Sequence, residues 1–120
     1  MSSSPSGNDD LLEMLPLSAP SFFVLFALAD GEKHGYLIMQ EVKALSNHKL
    51  RMGPATLYTT IQKLVERLLI EEVQSSLPDR RRTYRLTHAG KHLLQAEFRR
   101  QSEVLQLARA KKVFLHEGKA

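Results

Sequence analysis

The sequence predicts a mainly α-helical domain that carries one small β-hairpin and ends in a long helix. Three observations predict it. Apolar residues recur at helical spacing through the first two thirds of the chain. Between Ile70 and Leu86 that spacing gives way to two short runs rich in β-branched and aromatic residues, separated by a Pro-Asp turn. From Thr87 onward helical spacing resumes and continues almost to the end of the chain.

At 120 residues the chain is long enough for one domain with a modest core and too short for two. Its 42% hydrophobic and 25% charged residues are those of a soluble globular protein. Lys and Arg number 17 against 13 Asp and Glu, a net +4 that leans mildly toward anionic partners. The absence of cysteine excludes disulfides and thiolate metal sites. The longest apolar run, residues 22–29, is far below the roughly 18–20 residues that span a bilayer. No basic segment followed by an apolar one opens the chain, so no secretory leader, no membrane partner and a cytoplasmic location are expected.

Residues 1–8 are, after Met1, Ser, Pro, Gly and Asn without apolar content and read as a disordered tail. Asn8 or Asp9 would cap a short helix over residues 9–16 through Leu11, Leu12 and Leu15, limited by Pro16. The main domain is expected over residues 17–87. Ser18 suits an N-cap, with Pro20 in the first turn of a helix through Phe22, Phe23, Leu25, Phe26, Leu28 and Ala29. Apolar nearly all around, it should be the most buried helix, and Asp30-Gly31 ends it. His34-Gly35-Tyr36 opens a second helix with Tyr36, Leu37, Met39 or Gln40, Val42 and Leu45 as its expected inner face, closed by Ser46-Asn47-His48. Residues 49–52 form a link whose alternation, apolar at Leu50 and Met52, suits a brief strand.

The organising stretch is residues 52–69. Leu57, Ile61, Leu64 and Leu68 recur at steps of four, three and four, with Val65 widening the stripe, so one face packs. Gly53 can take the cap conformation, and Pro54 suits the first helical position because its missing N–H is not needed there. The other face carries Thr56, Tyr58, Thr59, Gln62 and Lys63, side chains of the types that reach base edges and phosphates from a major groove. An ordinary amphipathic surface helix is the plain alternative. Tyr58 has a competing structural role, with half its ring packed on the hairpin.

Residues 70–75 and Thr83–Leu86 read as strands with Ile70, Val73, Tyr84 and Leu86 inward. The turn between them ends in Arg80, Arg81 and Arg82. A basic hairpin beside a helix-turn-helix can lay guanidinium groups on a phosphate backbone or in a minor groove, whereas a charge run alone is more often a solvated loop. Together the elements predict a winged helix-turn-helix, in which Lys49 and Arg51 add further phosphate contacts.

Thr87 caps the final helix, expected over residues 88–116. Leu94, Phe98, Gln101, Leu105 and Ala108 form one stripe, and Leu93, Ala96, Val104, Leu107, Lys111 and Phe114 form another. A helix of roughly 28 residues is about 42 Å long, more than so small a domain can cover. The same helix of a second copy is the simplest cover, so Leu94, Phe98, Val104, Leu105, Leu107, Ala108 and Phe114 are the candidate dimerisation residues. His88 and His92 stand four apart, with Glu97 a turn beyond, but two evident ligands make solvated histidines the default over a metal site. No cofactor is called for. No set of nucleophile, base and orienting group and no phosphate-binding glycine loop is recognisable, so an enzyme is not expected.

His34-Gly35-Tyr36, Gly53-Pro54-Ala55-Thr56-Leu57-Tyr58, Leu69-Ile70, Arg82-Thr83-Tyr84-Arg85-Leu86-Thr87 and Ala89-Gly90, in this order, resemble the PadR family of bacterial transcriptional regulators over about residues 17–115. The family usually has Gly where Ala55 stands, a change that fits a helix first turn. The resemblance implies a winged helix-turn-helix, a homodimer built through the C-terminal helix, and repression through an inverted-repeat operator in double-stranded DNA. The short C-terminal part looks like the branch with a single dimerisation helix. Some of that branch bind flat aromatic drugs on a tryptophan between the two helices, and this chain has no Trp. A small-molecule effector stays open. The rival reading is a winged-helix module that binds protein and not DNA, which an apolar outer face would favour over the basic one present.

Overall fold

The computed structural model of the chain describes residues 11–74 and 81–113. Within them the elements run α1 (Ala19–Ala27), β1 (Lys33–His34), α2 (Gly35–Leu45), α3 (Pro54–Glu66), β2 (Ile70–Val73), β3 (Thr83–Leu86) and α4 (His88–Ala110). Each helix begins where a local capping group is available. Ser18 accepts the Ser21 N–H at 3.3 Å, His34 Nδ1 accepts the Leu37 N–H at 3.3 Å, and Thr87 Oγ1 accepts the Gly90 N–H at 3.0 Å. Gly53 caps α3 with extended backbone and no side-chain bond, followed by Pro54 at the first helical position. Ahead of α1, Leu11 and Leu12 start a single helical turn in which the Met14 and Leu15 N–H groups bond their carbonyls at 2.9 and 3.1 Å. The Asn8 or Asp9 cap expected there lies outside the described residues, as do residues 1–8.

Helix α1 sits at the centre and touches α2, α3 and α4. Its Val24, Leu25 and Ala27 are wholly enclosed with Ile38, Val42, Leu57, Ile61, Leu64, Leu93 and Leu94. This is the expectation for a helix apolar on nearly all sides. The sheet is antiparallel in the order β1-β3-β2, with Ile70 opposite Leu86 and Val73 opposite Thr83. Among the described residues no helix is long and apolar enough to cross a membrane.

Four expectations need correction. The inner face of α2 is Gly35, Ile38 and Val42, while Tyr36 is 59% exposed and Leu45 points outward. That face turns toward α1, against which α2 packs most closely, and steps of three and four from Gly35 reach Ile38 and Val42. The brief strand expected at residues 49–52 does not form; the Ser46 hydroxyl takes the Leu50 N–H at 3.0 Å, and the third strand is Lys33–His34, paired with Thr83 and Tyr84. Leu68 is not on the packed stripe but 72% exposed. Helix α3 ends at its Arg67 cap, Leu68 takes a left-handed φ of 63°, and Leu69, bonded back to the Leu64 carbonyl at 2.9 Å, enters the core in its place. Finally, α4 stops at Ala110, closed in the same manner by Lys112 at φ 61° and by the Val113 N–H on the Ala108 carbonyl at 3.0 Å. Its 23 residues make about 34 Å, and residues 114–116 lie outside the described range.

Candidate nucleic-acid interface

The outward side of α3 follows from its inward one. With Leu57, Thr60, Ile61 and Leu64 buried, Thr56, Tyr58, Thr59, Gln62 and Lys63 are all exposed, as the sequence predicts. The Thr59 hydroxyl donates to the Ala55 carbonyl at 2.9 Å, which leaves its lone pairs and methyl group facing out. The Gln62 amide makes a long 3.4 Å contact with Glu66, weak enough for another acceptor to replace. Thr60 is turned inward and bonds the Thr56 carbonyl at 2.9 Å, so only one of the two neighbouring threonines is available to a partner.

The wing adds charge unevenly. Arg85 is held by Glu71 at 2.8 Å on the sheet surface, and Arg82 lies 3.9 Å from Glu72. Arg82 also bonds the Tyr84 side chain; burial pushes the Tyr84 phenol up, and the guanidinium works the other way. Arg81 reaches back to α2, with Nη1 3.1 Å from His34 Nε2. Arg80 falls outside the described residues.

Two hollows show how these pieces adjoin. One, of about 450 Å³, is lined by His34, Gly35, Tyr36, Tyr58, Arg81 and Arg82. The other, of about 410 Å³, includes Tyr36, Lys43, Arg51, Met52, Gly53 and Pro54. Tyr36 lines both, so the arginines ahead of β3, the start of α2 and the start of α3 border adjoining hollows that include Arg81, Arg82, Lys43 and Arg51. Tyr58 packs on the start of α2, where a Cβ on Gly35 would stand 2.3 Å from its hydroxyl, and shares a hollow with Arg81 and Arg82 of the wing. About half of Tyr58 remains exposed. Lys49 and Lys63 are exposed but line neither hollow. His34, Tyr36 and Lys43 are the site residues that sequence reasoning missed. The His34-Gly35-Tyr36 motif was the available signal, and reading Tyr36 as core concealed it.

On α4 the candidate dimerisation residues divide. Leu94, 4% exposed, belongs to the chain's own core and offers nothing to a partner. Phe98 sets its ring against Phe22 and Phe26, centroids 5.3 and 5.0 Å away, and keeps an exposed edge. Val104, Leu105 and Leu107 are exposed, Ala108 is half-buried, and Phe114 is outside the described residues. His88 and His92 face solvent, but Glu97 turns the other way. It is 2% exposed and takes two bonds from Arg100, at 2.6 and 3.1 Å, and one from Gln101 at 3.4 Å. The Arg100 bonds hold its carboxyl below the usual carboxylate range against the opposing effect of burial, aided by Gln101 and the Leu17 backbone. The trio therefore does not converge, and among the described residues no group of three His, Cys, Asp or Glu side chains is placed to hold a metal.

Comparison with known proteins agrees with this geometry. A family model described as "Transcriptional regulator PadR-like family" matches residues 24–96. The transcriptional regulator Rv3488 of Mycobacterium tuberculosis is 36% identical over 88 residues, 72% of this chain and 79% of that protein. An uncharacterized 37.1 kDa protein in transposon TN4556 of Streptomyces fradiae is 39% identical over 74 residues, 62% of this chain but 20% of its own length. The fold matches that of Bacillus subtilis PadR, solved in complex with operator DNA, with a TM-score of 0.59 at 23% identity, over 68% of this chain and 46% of that one.

Proposed function

This chain belongs to the transcriptional regulator PadR-like family, and from that premise we propose that it is a DNA-binding repressor that grips an inverted-repeat operator as a homodimer. One observation carries the reading: the outer face of α3 is free of large aliphatic side chains and adjoins, through Tyr58 and Tyr36, the arginines ahead of β3 and the cations of α2 and the α2–α3 link. In this reading Thr59 and Gln62 contact base edges, with Thr56 and Tyr58 beside them. Lys63, Arg51, Lys49 and Arg80 to Arg82 hold phosphates. Phosphate contacts set register and are indifferent to sequence, while base-edge contacts specify. The distal part of α4 pairs with its copy and holds two α3 helices roughly 34 Å apart, the spacing of successive major grooves on one side of B-DNA. The shared fold with the B. subtilis protein, solved in complex with operator DNA, supports the DNA-binding reading. The work belongs in the cytoplasm, where the chromosome is, with release by a small-molecule effector as part of the proposal.

The test is retention on random-sequence duplex at low salt, followed by recovery of bound fragments from a randomised pool with and without candidate ligands. Salt-sensitive retention that is lost on charge reversal of Arg81 and Arg82, and a two-fold-symmetric recovered sequence, are the expected results. Retention indifferent to salt or to those arginines sinks the proposal in favour of a protein-binding module.

A further inference from the structure

We infer that Glu66 sets the base preference of α3 without touching a base: it holds the Gln62 amide in the one orientation that reads adenine and rejects guanine. The inference rests on the DNA-binding reading above and deepens it, by naming the base and the residue that enforces the choice.

Ala55, Thr59, Gln62 and Glu66 follow one another along α3 at steps of four, three and four, and all of them are exposed. At about 100° per residue their line lies half a turn around the helix from the buried Leu57, Ile61 and Leu64. It is therefore the part of α3 that enters a groove deepest. Thr56 and Lys63 flank it on one side and Tyr58 on the other, nearer to where the phosphates run.

Along this line the polar hydrogens are already engaged within the protein. The Thr59 hydroxyl donates to the Ala55 carbonyl at 2.9 Å, so toward a partner it only accepts. Gln62 Nε2 stands 3.4 Å from a carboxylate oxygen of Glu66. A carboxylate only accepts, so it is the nitrogen of the amide that belongs beside it. The bond is long and contributes little by itself. What it opposes counts for more: turned over, the amide would set its oxygen against the carboxylate, acceptor to acceptor. Gln62 therefore keeps outward its Oε1 and the Nε2 hydrogen next to that oxygen, an acceptor beside a donor.

In the major groove adenine alone presents the complementary edge, its N6 amino group beside the N7 acceptor, and a glutamine amide meets both at once. Guanine presents two acceptors, O6 and N7, which an amide serves only through its nitrogen, as a freely turning side chain can. Cytosine has the amino group without the neighbouring acceptor. With Thr59 and Gln62 both turning acceptors outward, the line is matched to adenine and mismatched to guanine. Glu66 adds to the mismatch, since its charge repels the electronegative guanine edge. It repels phosphates as well, so it lowers affinity for every duplex while sharpening the choice among them.

Three proteins decide the matter in one selection from randomised duplex: wild type, Gln62→Ala and Glu66→Ala, the variants at exposed positions where alanine suits a helix. Wild type should recover adenine at one position of each half-site, Gln62→Ala any base there, and Glu66→Ala adenine or guanine alike. On duplexes that differ only at that pair, the wild-type preference for adenine over guanine should be about tenfold, falling to about twofold in Glu66→Ala. Random-sequence duplex should meanwhile be held a few-fold more tightly by Glu66→Ala, because an anion has left the face. A general loss of structure cannot produce those two opposite changes. A Glu66→Ala protein that recovers the same strict sequence as wild type overturns the proposal. So does a Gln62→Ala protein that relaxes no position, or relaxes one held by guanine. Failure of the DNA-binding reading looks different: wild type then retains no duplex of any sequence, and both inferences fall together.

Discussion

From residue 88 to 97 helix α4 buries Gly90, Leu93, Leu94, Ala96 and Glu97 against its own domain, whereas from residue 98 to 110 it leaves Val104, Leu105 and Leu107 in solvent, Leu107 at 66% exposure. The amphipathic spacing is the same in both halves. What differs is the presence of α1: it lies alongside the first half, and its Phe22 and Phe26 reach no further than Phe98. Helical spacing thus announces that a face will be covered without saying by what. For the first half the cover is in the chain. For the second, burial of each large apolar side chain is worth roughly 1.5–3 kcal/mol, and in the proposed homodimer a copy of the same half supplies the cover.

The largest expected effect breaks the second half alone. Replacing both Leu105 and Leu107 by Asp places four carboxylates in a two-fold interface, and dimer affinity should fall by at least about a thousandfold, from lost burial and like-charge repulsion. Light scattering coupled to size exclusion should then report a single subunit, and duplex binding should drop because the two α3 helices are no longer linked. The domain's own unfolding, extrapolated to low protein concentration, should be unchanged. A variant that stays dimeric would place the interface elsewhere.

The next effect breaks the first half alone. A Cβ on Gly90 would stand 1.9 Å from the Leu69 carbonyl oxygen, a backbone atom that also accepts the Thr87 N–H at 3.1 Å and cannot easily yield. Gly90→Ala should therefore cost about 3 kcal/mol, read in chemical denaturation, by forcing the α4 start away from the α3–β2 turn. Were the cost below about 0.5 kcal/mol, the close approach would not be part of the fold in solution.

The two halves also mark how far the sequence can be read. Ser18, Gly53-Pro54 and Thr87 announced their helices because capping is settled within four residues. Leu57, Ile61 and Leu64 declared α3 and thereby its outer face, which is why the exposed half of the candidate site was legible. Tyr36 was misassigned because apolar and long side chains occur on every side of α2, and which side turns inward is settled by packing against α1. Leu68 gave no warning, since a left-handed residue without glycine or asparagine has no local signature. Strand β1 is two residues long and exists through partners far along the chain. The His34–Arg81 contact joins the same distant segments and was equally invisible.

The smallest effect sharpens the boundary between the halves, at Glu97. Its carboxylate is enclosed, bonded by Arg100 and Gln101, and tied to the Leu17 backbone just ahead of α1. Glu97→Gln keeps the shape and removes the charge. Because Arg100 is partly exposed and finds water instead, the cost should be about 2 kcal/mol, below that of breaking a fully buried pair. The pH dependence separates charge from packing. The folded-state pKa lies below the unfolded one, so the charge contributes fully above the unfolded carboxyl range, near about pH 4.3, and its contribution is lost as pH falls through the lower folded value. The stability gap between wild type and Glu97→Gln, followed by denaturant unfolding from neutral pH into acid, should therefore close at the acid end. A gap that stays constant would make Glu97 a matter of shape alone. Dimer affinity measured on the same samples near neutral pH should hold steady if the residue serves only the inner half of α4, and should weaken with domain stability if it also sets the angle at which the outer half leaves the domain.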